Sequence, residues 1–322
     1  FATCCRNHLF LNMTNEDIMQ TFKVGVVQAT PFLFDAERTL AKTGELIRQA
    51  AAQHCELIVF PESFIPGYPR GLSFDTVIGR RGESGRALWQ TYWENSVLVP
   101  SEQTEQLSAF AREAKSYLVI GITERDAVNG SLYCSVLYFD KNGELIGKHR
   151  KLKPTGTERL VWGDGDGSDL QVFDTELGRL GGLICWENYM PLARMALYEQ
   201  GIQIYIAPTA DARDTWQATT QHIACEGRCF VIGCNQFVTK NDYPENLQSE
   251  IAEEPEVLCR GGSVVVSPPG EVLAGPVYGK EDILVADLDL NEVVKGKFDF
   301  DPIGHYARKD VFAFDWKKSE KP

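Results

Sequence analysis

Short apolar runs alternate along this chain with longer stretches in which apolar side chains return every three or four positions. The runs predict strands at 22–28, 57–60, 117–123, 131–139, 180–184, 202–207, 229–235, 263–267 and 283–288. Between them the longer period predicts helices. Asp35 stands where it can cap a helix through about Ala52, with Leu40, Ile47 and Ala51 on one face. A second runs from about Gln103 to Lys115 and buries Leu107, Phe110, Ala111 and Ala114. Pro191 opens a third that Gly201 closes, and Asp214 with Gln217 three residues on forms a capping-box-like start for a fourth through about Arg228. Strands alternating with helices predict a layered α/β domain. The pattern loosens at 70–99 and at 239–256, and loops of that length are usually functional or flexible.

Three strands end in reactive residues. The run Leu180-Gly181-Gly182-Leu183-Ile184 drives into Cys185, with Trp186-Glu187-Asn188 and the helix-opening Pro191 behind it. A thiol at such a strand-to-helix turn lies near backbone N–H groups and a helix N-terminus, both of which favour a thiolate. Leu57-Ile58-Val59-Phe60-Pro61 delivers Glu62. The hairpin 138–151, with its Asn142-Gly143 turn, leads directly into Lys151. Strand ends of layered α/β domains are where catalytic groups collect.

These residues sit in four ordered blocks: Phe60-Pro61-Glu62-Ser63-Phe64-Ile65-Pro66-Gly67-Tyr68-Pro69, then 149–159, then Trp162-Gly163-Asp164-Gly165-Asp166-Gly167-Ser168, then Cys185-Trp186-Glu187. The chain resembles the nitrilase (carbon–nitrogen hydrolase) superfamily, and within it the nitrilase branch, from about residue 22 to about residue 314. The resemblance implies a single-domain α-β-β-α sandwich over 21–314, flanked by an N-terminal extension at 1–20 and a tail at 315–322. Met13 and Met19 would each be a natural start before the first strand, which is why the residues ahead of it read as an extension.

The resemblance also implies roles. Cys185 is the nucleophile, Glu62 the base, Lys151 the cation for developing negative charge, and Glu158 a second carboxylate that keeps Lys151 charged. Trp186 contributes a backbone N–H, and Trp186, Phe64 and Trp162 form the pocket. The implied reaction converts a nitrile to a carboxylic acid and ammonia through a thioimidate and a thioester, with amide as a minor product, and calls for no metal or organic cofactor. It implies a homodimer assembling into larger spirals, with insertions such as 70–99 and 239–256 at subunit contacts or the pocket rim. An amidase or carbamoylase would use the same four residues. Cyanide-converting relatives usually carry a histidine where this chain has Asn188. A non-catalytic filament scaffold would not need all four positions filled.

A formal charge of −13 with no basic cluster argues against nucleic acid or an anionic membrane as partner. No apolar run reaches membrane-spanning length and no signal-peptide pattern opens the chain, so a cytoplasmic location is expected. Nine cysteines without regular spacing read as reduced, mostly core residues. Cys225 and Cys229, one helical turn apart, have no second pair to complete a zinc site. The stretch 164–169 resembles the start of a calcium loop, but Asp169 and Thr175 occupy the positions that need glycine and glutamate. It is read instead as a tight turn near Glu158. Lys148 and Lys153 are expected at the surface, Glu187 in a structural role at the nucleophile turn, Trp216 in the core, and His305 in packing or an interface.

Overall fold

In the computed structural model, which describes residues 21–316, the apolar runs become two sheets. The expected extension at 1–20 and most of the expected tail lie outside the described residues. The first sheet contains β1 (Thr21–Gln28), β2 (Leu57–Val59), β3 (Val97–Leu98), β4 (Tyr117–Arg125), β5 (Leu132–Phe139) and β6 (Leu145–Arg150). The second contains β7 (Phe173–Thr175), β8 (Gly178–Gly182), β9 (Ile204–Thr209), β10 (Phe230–Asn235), β11 (Phe237–Thr239), β12 (Val257–Val266) and β13 (Val272–Tyr278). β14 (Asp282–Asp289) then returns to the first sheet, antiparallel to β1. The strand orders are β14-β1-β2-β4-β5-β6, with β3 on β4, and β11-β12-β10-β9-β8-β7, with β13 on β12. Each sheet has a parallel centre, β1-β2-β4 in one and β8-β9-β10 in the other.

The period-two alternation of these strands separates three apolar layers. Val24, Val26, Leu57, Val59 and Val119 meet Ile204, Ile206, Phe230 and Ile232 between the sheets. The other face of the first sheet, with Ile58, Phe60, Leu118 and Ile120, packs against α1 (Ala36–Ala52) and α3 (Glu102–Ala114) through Leu40, Ile47, Leu107 and Ala111. Tyr205, Ala207 and Val231 on the far face of the second sheet pack against α4 (Pro191–Glu199) and α5 (Asp214–Gly227) through Leu197, Trp216 and Ile223. The architecture is the α-β-β-α sandwich. Its two central parallel strand sets present their carboxyl ends to one region, the usual place for chemistry in such sheets.

Local signals account for most boundaries. The Asp35 side chain caps α1 by accepting from Arg38 N at 2.9 Å, and Pro191 opens α4. Other expectations need correction. Asp214 is not a cap; Arg213 precedes the helix, and Asp214 instead pairs with Arg260. Within 70–99 lies α2 (Glu83–Asn95), whose fully buried positions are only Gly85 and Tyr92, so its amphipathic signal is faint. β12 begins six residues before the expected strand, because Arg260-Gly261-Gly262 has turn-like composition but lies within the ladder. β13 and α6 (Asn291–Asp299) are largely exposed and carry no clear apolar periodicity.

Candidate active site

Glu62 is held at a kink directly after β2. Ser63 takes a left-handed backbone (φ 47°), which a non-glycine residue adopts only when its surroundings over-determine it. Its hydroxyl bonds Thr123 Oγ1 at 2.6 Å and lies 3.3 Å from the Tyr92 hydroxyl, carried in by α2. On the adjacent strand, a Cβ at Gly121 would fall 2.2 Å from Pro61 O and 2.7 Å from Glu62 Cα. Only glycine lets the kink lie this close to β4. The Glu62 carboxylate is fully buried, and it accepts from Lys151 Nζ at 2.7 Å and from Ala210 N at 2.9 Å. Burial raises its pKa, and Lys151 opposes that rise.

Lys151 follows β6, and its ammonium lies between two carboxylates, Glu62 and Glu158, the latter at 2.8 Å. Glu158 is fixed by Tyr68 Oη at 2.7 Å and Thr155 N at 2.6 Å. Burial alone would discharge Lys151, but Glu62 and the surrounding acidic groups outweigh it and keep the ammonium well above its ordinary pKa. Lys153 is half-exposed and pairs with Asp164, and Lys148 pairs with Glu124, so neither joins this cluster.

Cys185 begins a short 3-10 turn (Cys185–Tyr189) and is itself left-handed, with φ 52°. Asn188 Nδ2 ties the turn by donating to Leu183 O and Cys185 O, both at 2.8 Å. Thr209 Oγ1, at the end of β9, donates to the thiol at 3.1 Å, and Glu62 lies close enough for the two groups to shift each other's pKa. The expectation of a thiolate favoured by a helix terminus is not met. Burial, then the negative charge of Glu62, push the thiol pKa far above its ordinary value, although Lys151 pulls the other way. Burial and Glu62 together favour the neutral thiol over the thiolate at rest.

Glu187 braces this turn against the Lys151 segment. Its carboxylate accepts from Ile184 N at 2.7 Å and from Leu152 N at 2.6 Å, and it lies 3.1 Å from His149 Nε2. His149 Nδ1 lies 3.1 Å from Asp169, the residue that filled the glycine position of the calcium-like stretch. With a carboxylate on each ring nitrogen, both must donate, so the ring is an imidazolium. Burial opposes the charge, but Glu187 and Asp169 outweigh it and raise the pKa to about 10. A folded pKa raised above the unfolded one stabilises most at low pH. His149 therefore stabilises fully below about 6.5, its ordinary value, and the contribution fades as pH rises through 10. The melting-temperature gap between wild type and His149→Phe is expected to be widest at pH 6 and to narrow towards pH 10. A gap that stays constant with pH would show that charge plays no part.

Cys185 opens into a cavity of about 540 Å³, a size typical of small-molecule sites. Glu158, Tyr68, Trp186 and Ala210 are among its walls. Trp186 is pinned there by its indole N–H, which donates to Asp211 at 2.9 Å. The expected pocket role of Phe64 is contradicted: its ring is fully buried against Phe60 in the layer beneath α1 and α3. The kink at Ser63 sends Glu62 and Phe64 into different layers of the sandwich. Trp162 stands behind Tyr68, 5.7 Å between ring centroids, and lines an adjoining cavity of about 330 Å³ with Tyr68 and Glu158. A larger cavity of about 1020 Å³, between the β1–α1 loop and 239–250, touches none of Glu62, Lys151, Glu158 and Cys185. Among the described residues, no group of three or more histidine, cysteine, aspartate or glutamate side chains is arranged to hold a metal ion, and no helix is long and apolar enough to cross a membrane.

A buried glutamate, lysine and cysteine drawn from three strand ends, with a second glutamate behind the lysine, is a distinctive arrangement. A family model described as carbon-nitrogen hydrolase matches residues 23–298. This chain belongs to the carbon–nitrogen hydrolase family. An aliphatic nitrilase of Sinorhizobium fredii is 53% identical over 295 residues, covering 91% of this chain and 95% of that protein. A bifunctional nitrilase/nitrile hydratase of Nicotiana tabacum is 48% identical over 309 residues, covering 94% and 88%. Among solved structures, a nitrilase-superfamily protein of Saccharomyces cerevisiae superposes with a TM-score of 0.72 at 24% identity, covering 91% of this chain and 98% of that one.

Several residues around this carbon–nitrogen hydrolase's cluster escaped the sequence reading. Thr209 and Ala210 close β9, the parallel neighbour of β8, and their position at a carboxyl strand end was the available signal. Tyr68 and Arg70 follow Glu62 in Gly67-Tyr68-Pro69-Arg70, and a polar group so soon after a reactive carboxylate was the other. Gln236, which donates to Glu62 O at 2.6 Å, carried no sequence signal.

Proposed function

We propose that this carbon–nitrogen hydrolase is a nitrilase in which Cys185, Glu62, Lys151 and Glu158 do the chemistry. The observation that carries the roles is that Glu62 and Cys185, both buried, meet where Lys151 adds a fixed ammonium. Nitrile over amide rests on the relatives, which are named for nitrile hydrolysis at about half identity across nearly the whole chain.

Glu62 takes the Cys185 proton as sulfur bonds to the nitrile carbon, and passes it to the nitrogen, giving a thioimidate. Holding the thiol neutral until attack suits this order, since the proton is transferred at the moment the nucleophile is needed. Glu62 next deprotonates a water that adds to the same carbon. Lys151 and the Trp186 N–H stabilise the negative charge of the adduct, the largest single catalytic contribution in most such reactions. Expulsion of ammonia leaves a thioester, and a second water hydrolyses it to the acid and restores the thiol. Expulsion of the Cys185 sulfur from the first adduct releases an amide instead, in keeping with the bifunctional name of the tobacco relative.

The test is ammonia, acid and amide release from aryl, arylacetic and aliphatic nitriles, with the matching amides as controls. Acid and ammonia from nitriles, with less amide, are expected. Turnover of amides with none of nitriles would overturn the reading in favour of an amidase.

A further inference from the structure

The cavity above Cys185 carries an uneven charge. Three arginines line it: Arg70, Arg213 and Arg260. Two are already neutralised. Arg213 Nε donates to Asp211 at 2.9 Å, and Arg260 pairs with Asp214 while its Nε donates to Ala212 O at 2.7 Å. The Glu158 carboxylate in the wall is itself committed to Lys151.

Arg70 is different. Its guanidinium donates through Nη2 to Ala210 O and lies 5.4 Å from the Tyr68 ring centroid, and among the described residues no carboxylate forms an ion pair with it. Its place is also telling. The residue whose carbonyl it grips, Ala210, gives its own N–H to Glu62, so the free cation is anchored one peptide unit from the reactive carboxylate. The Arg70 carbonyl in turn accepts from Tyr243 Oη at 2.6 Å, which fixes the backbone that presents the side chain.

A half-buried guanidinium with unused N–H donors in a concave wall is costly unless something anionic completes it. A carboxylate fits it bidentately, and the planar fork suits that group better than a point charge would. We propose that the preferred substrate is a small aliphatic nitrile bearing a carboxylate, with Arg70 holding the carboxylate while the cyano carbon meets Cys185. This rests on the nitrilase reading for the reactive group and on the cavity alone for the charge. Arg70 is thus a specificity residue, acting on selectivity between charged and neutral substrates.

The test compares 3-cyanopropanoate with its neutral isostere 4-methylpentanenitrile, on wild type, Arg70→Met and Arg70→Lys. Wild type is expected to favour the anion by at least about tenfold in kcat/KM, the discrimination one charged hydrogen-bonded contact readily supplies. Arg70→Met collapses that ratio, chiefly through KM for the anion, and Arg70→Lys restores part of it. A wild-type preference for the neutral nitrile, or a ratio unmoved by Arg70→Met, overturns the proposal. The corresponding amides, succinamate and 4-methylpentanamide, run alongside. Turnover of amides alone sinks the nitrilase reading while the charge ratio is still read on them. Calorimetric binding of 3-cyanopropanoate to Cys185→Ala, with and without Arg70→Met, reads the same contact without turnover; equal affinity in the two proteins overturns the assignment.

Discussion

Cys185→Ala is expected to lose at least about four orders of magnitude in kcat on any substrate the wild type turns over, while the protein stays folded. The size follows from what removing a nucleophile costs in a covalent mechanism, where deleting one member of the acting unit forfeits nearly the whole covalent contribution. Stability should change little. The thiol is a small buried group whose one hydrogen-bond donor, Thr209 Oγ1, keeps its other bond, from Asp211 N at 2.9 Å, and Asn188 and Glu187 hold the turn through backbone atoms that alanine keeps. Alanine at a left-handed position costs no more than cysteine there, since both carry a Cβ. Cys225→Ala is the control: that thiol lies on α5, bonded to Pro269 O, and its loss should leave turnover intact.

Lys151→Ala is expected to show two separate losses. The first is in rate, by at least about 10²–10³, the range found when one preorganised donor to a developing anion is removed. The second is in stability. With the ammonium gone, Glu62 and Glu158 are left as neighbouring carboxylates, one of them fully buried, and breaking a buried pair from one side costs roughly 3–5 kcal/mol. Protonation of Glu62 relieves part of that cost, so the variant should melt closest to wild type at acid pH. Rates are therefore compared below the variant's own melting transition, with near-ultraviolet circular dichroism as the check on folding. Lys153→Ala, which removes only a half-exposed pair with Asp164, should be near wild type in both respects. Near-normal rates in a folded Lys151→Ala would take the cation's role away from this residue.

Both arguments depend on residues whose place is legible in the sequence alone. Glu62, Lys151 and Cys185 each follow a strand, and the strands 22–28, 57–60, 117–123 and 229–235 read as near-continuous apolar runs because both faces of their sheets are covered. What escaped was structure whose signal is diluted. α2 buries few side chains and spends one of them, Tyr92, on hydrogen bonds to Ser63 and Thr123 rather than on apolar contact alone. The amino end of β12 looked like an acidic loop running into glycines, yet Val257, Leu258 and Arg260 from it form a wall of the cavity. Phe64 shows the limit of motif reading. The resemblance implies a pocket role for Phe64, but the left-handed Ser63 between it and Glu62 sends the two side chains into different layers. The protonation state of Cys185 was equally out of reach, because it depends on Glu62 and on burial, both of which arise only when the two sheets meet.

The central claim, that a nitrile carbon becomes bonded to Cys185 sulfur, is tested most directly by acid-quenching the wild-type enzyme during turnover of a nitrile and mapping the covalent adduct by peptide mass spectrometry. The mechanism predicts a mass increase matching the intact nitrile or its acyl group on the peptide containing Cys185, absent from Cys185→Ala treated identically. An adduct on another residue such as Cys134, whose thiol lies 3.5 Å from Glu62, or ammonia release by Cys185→Ala within about tenfold of wild type, would contradict it.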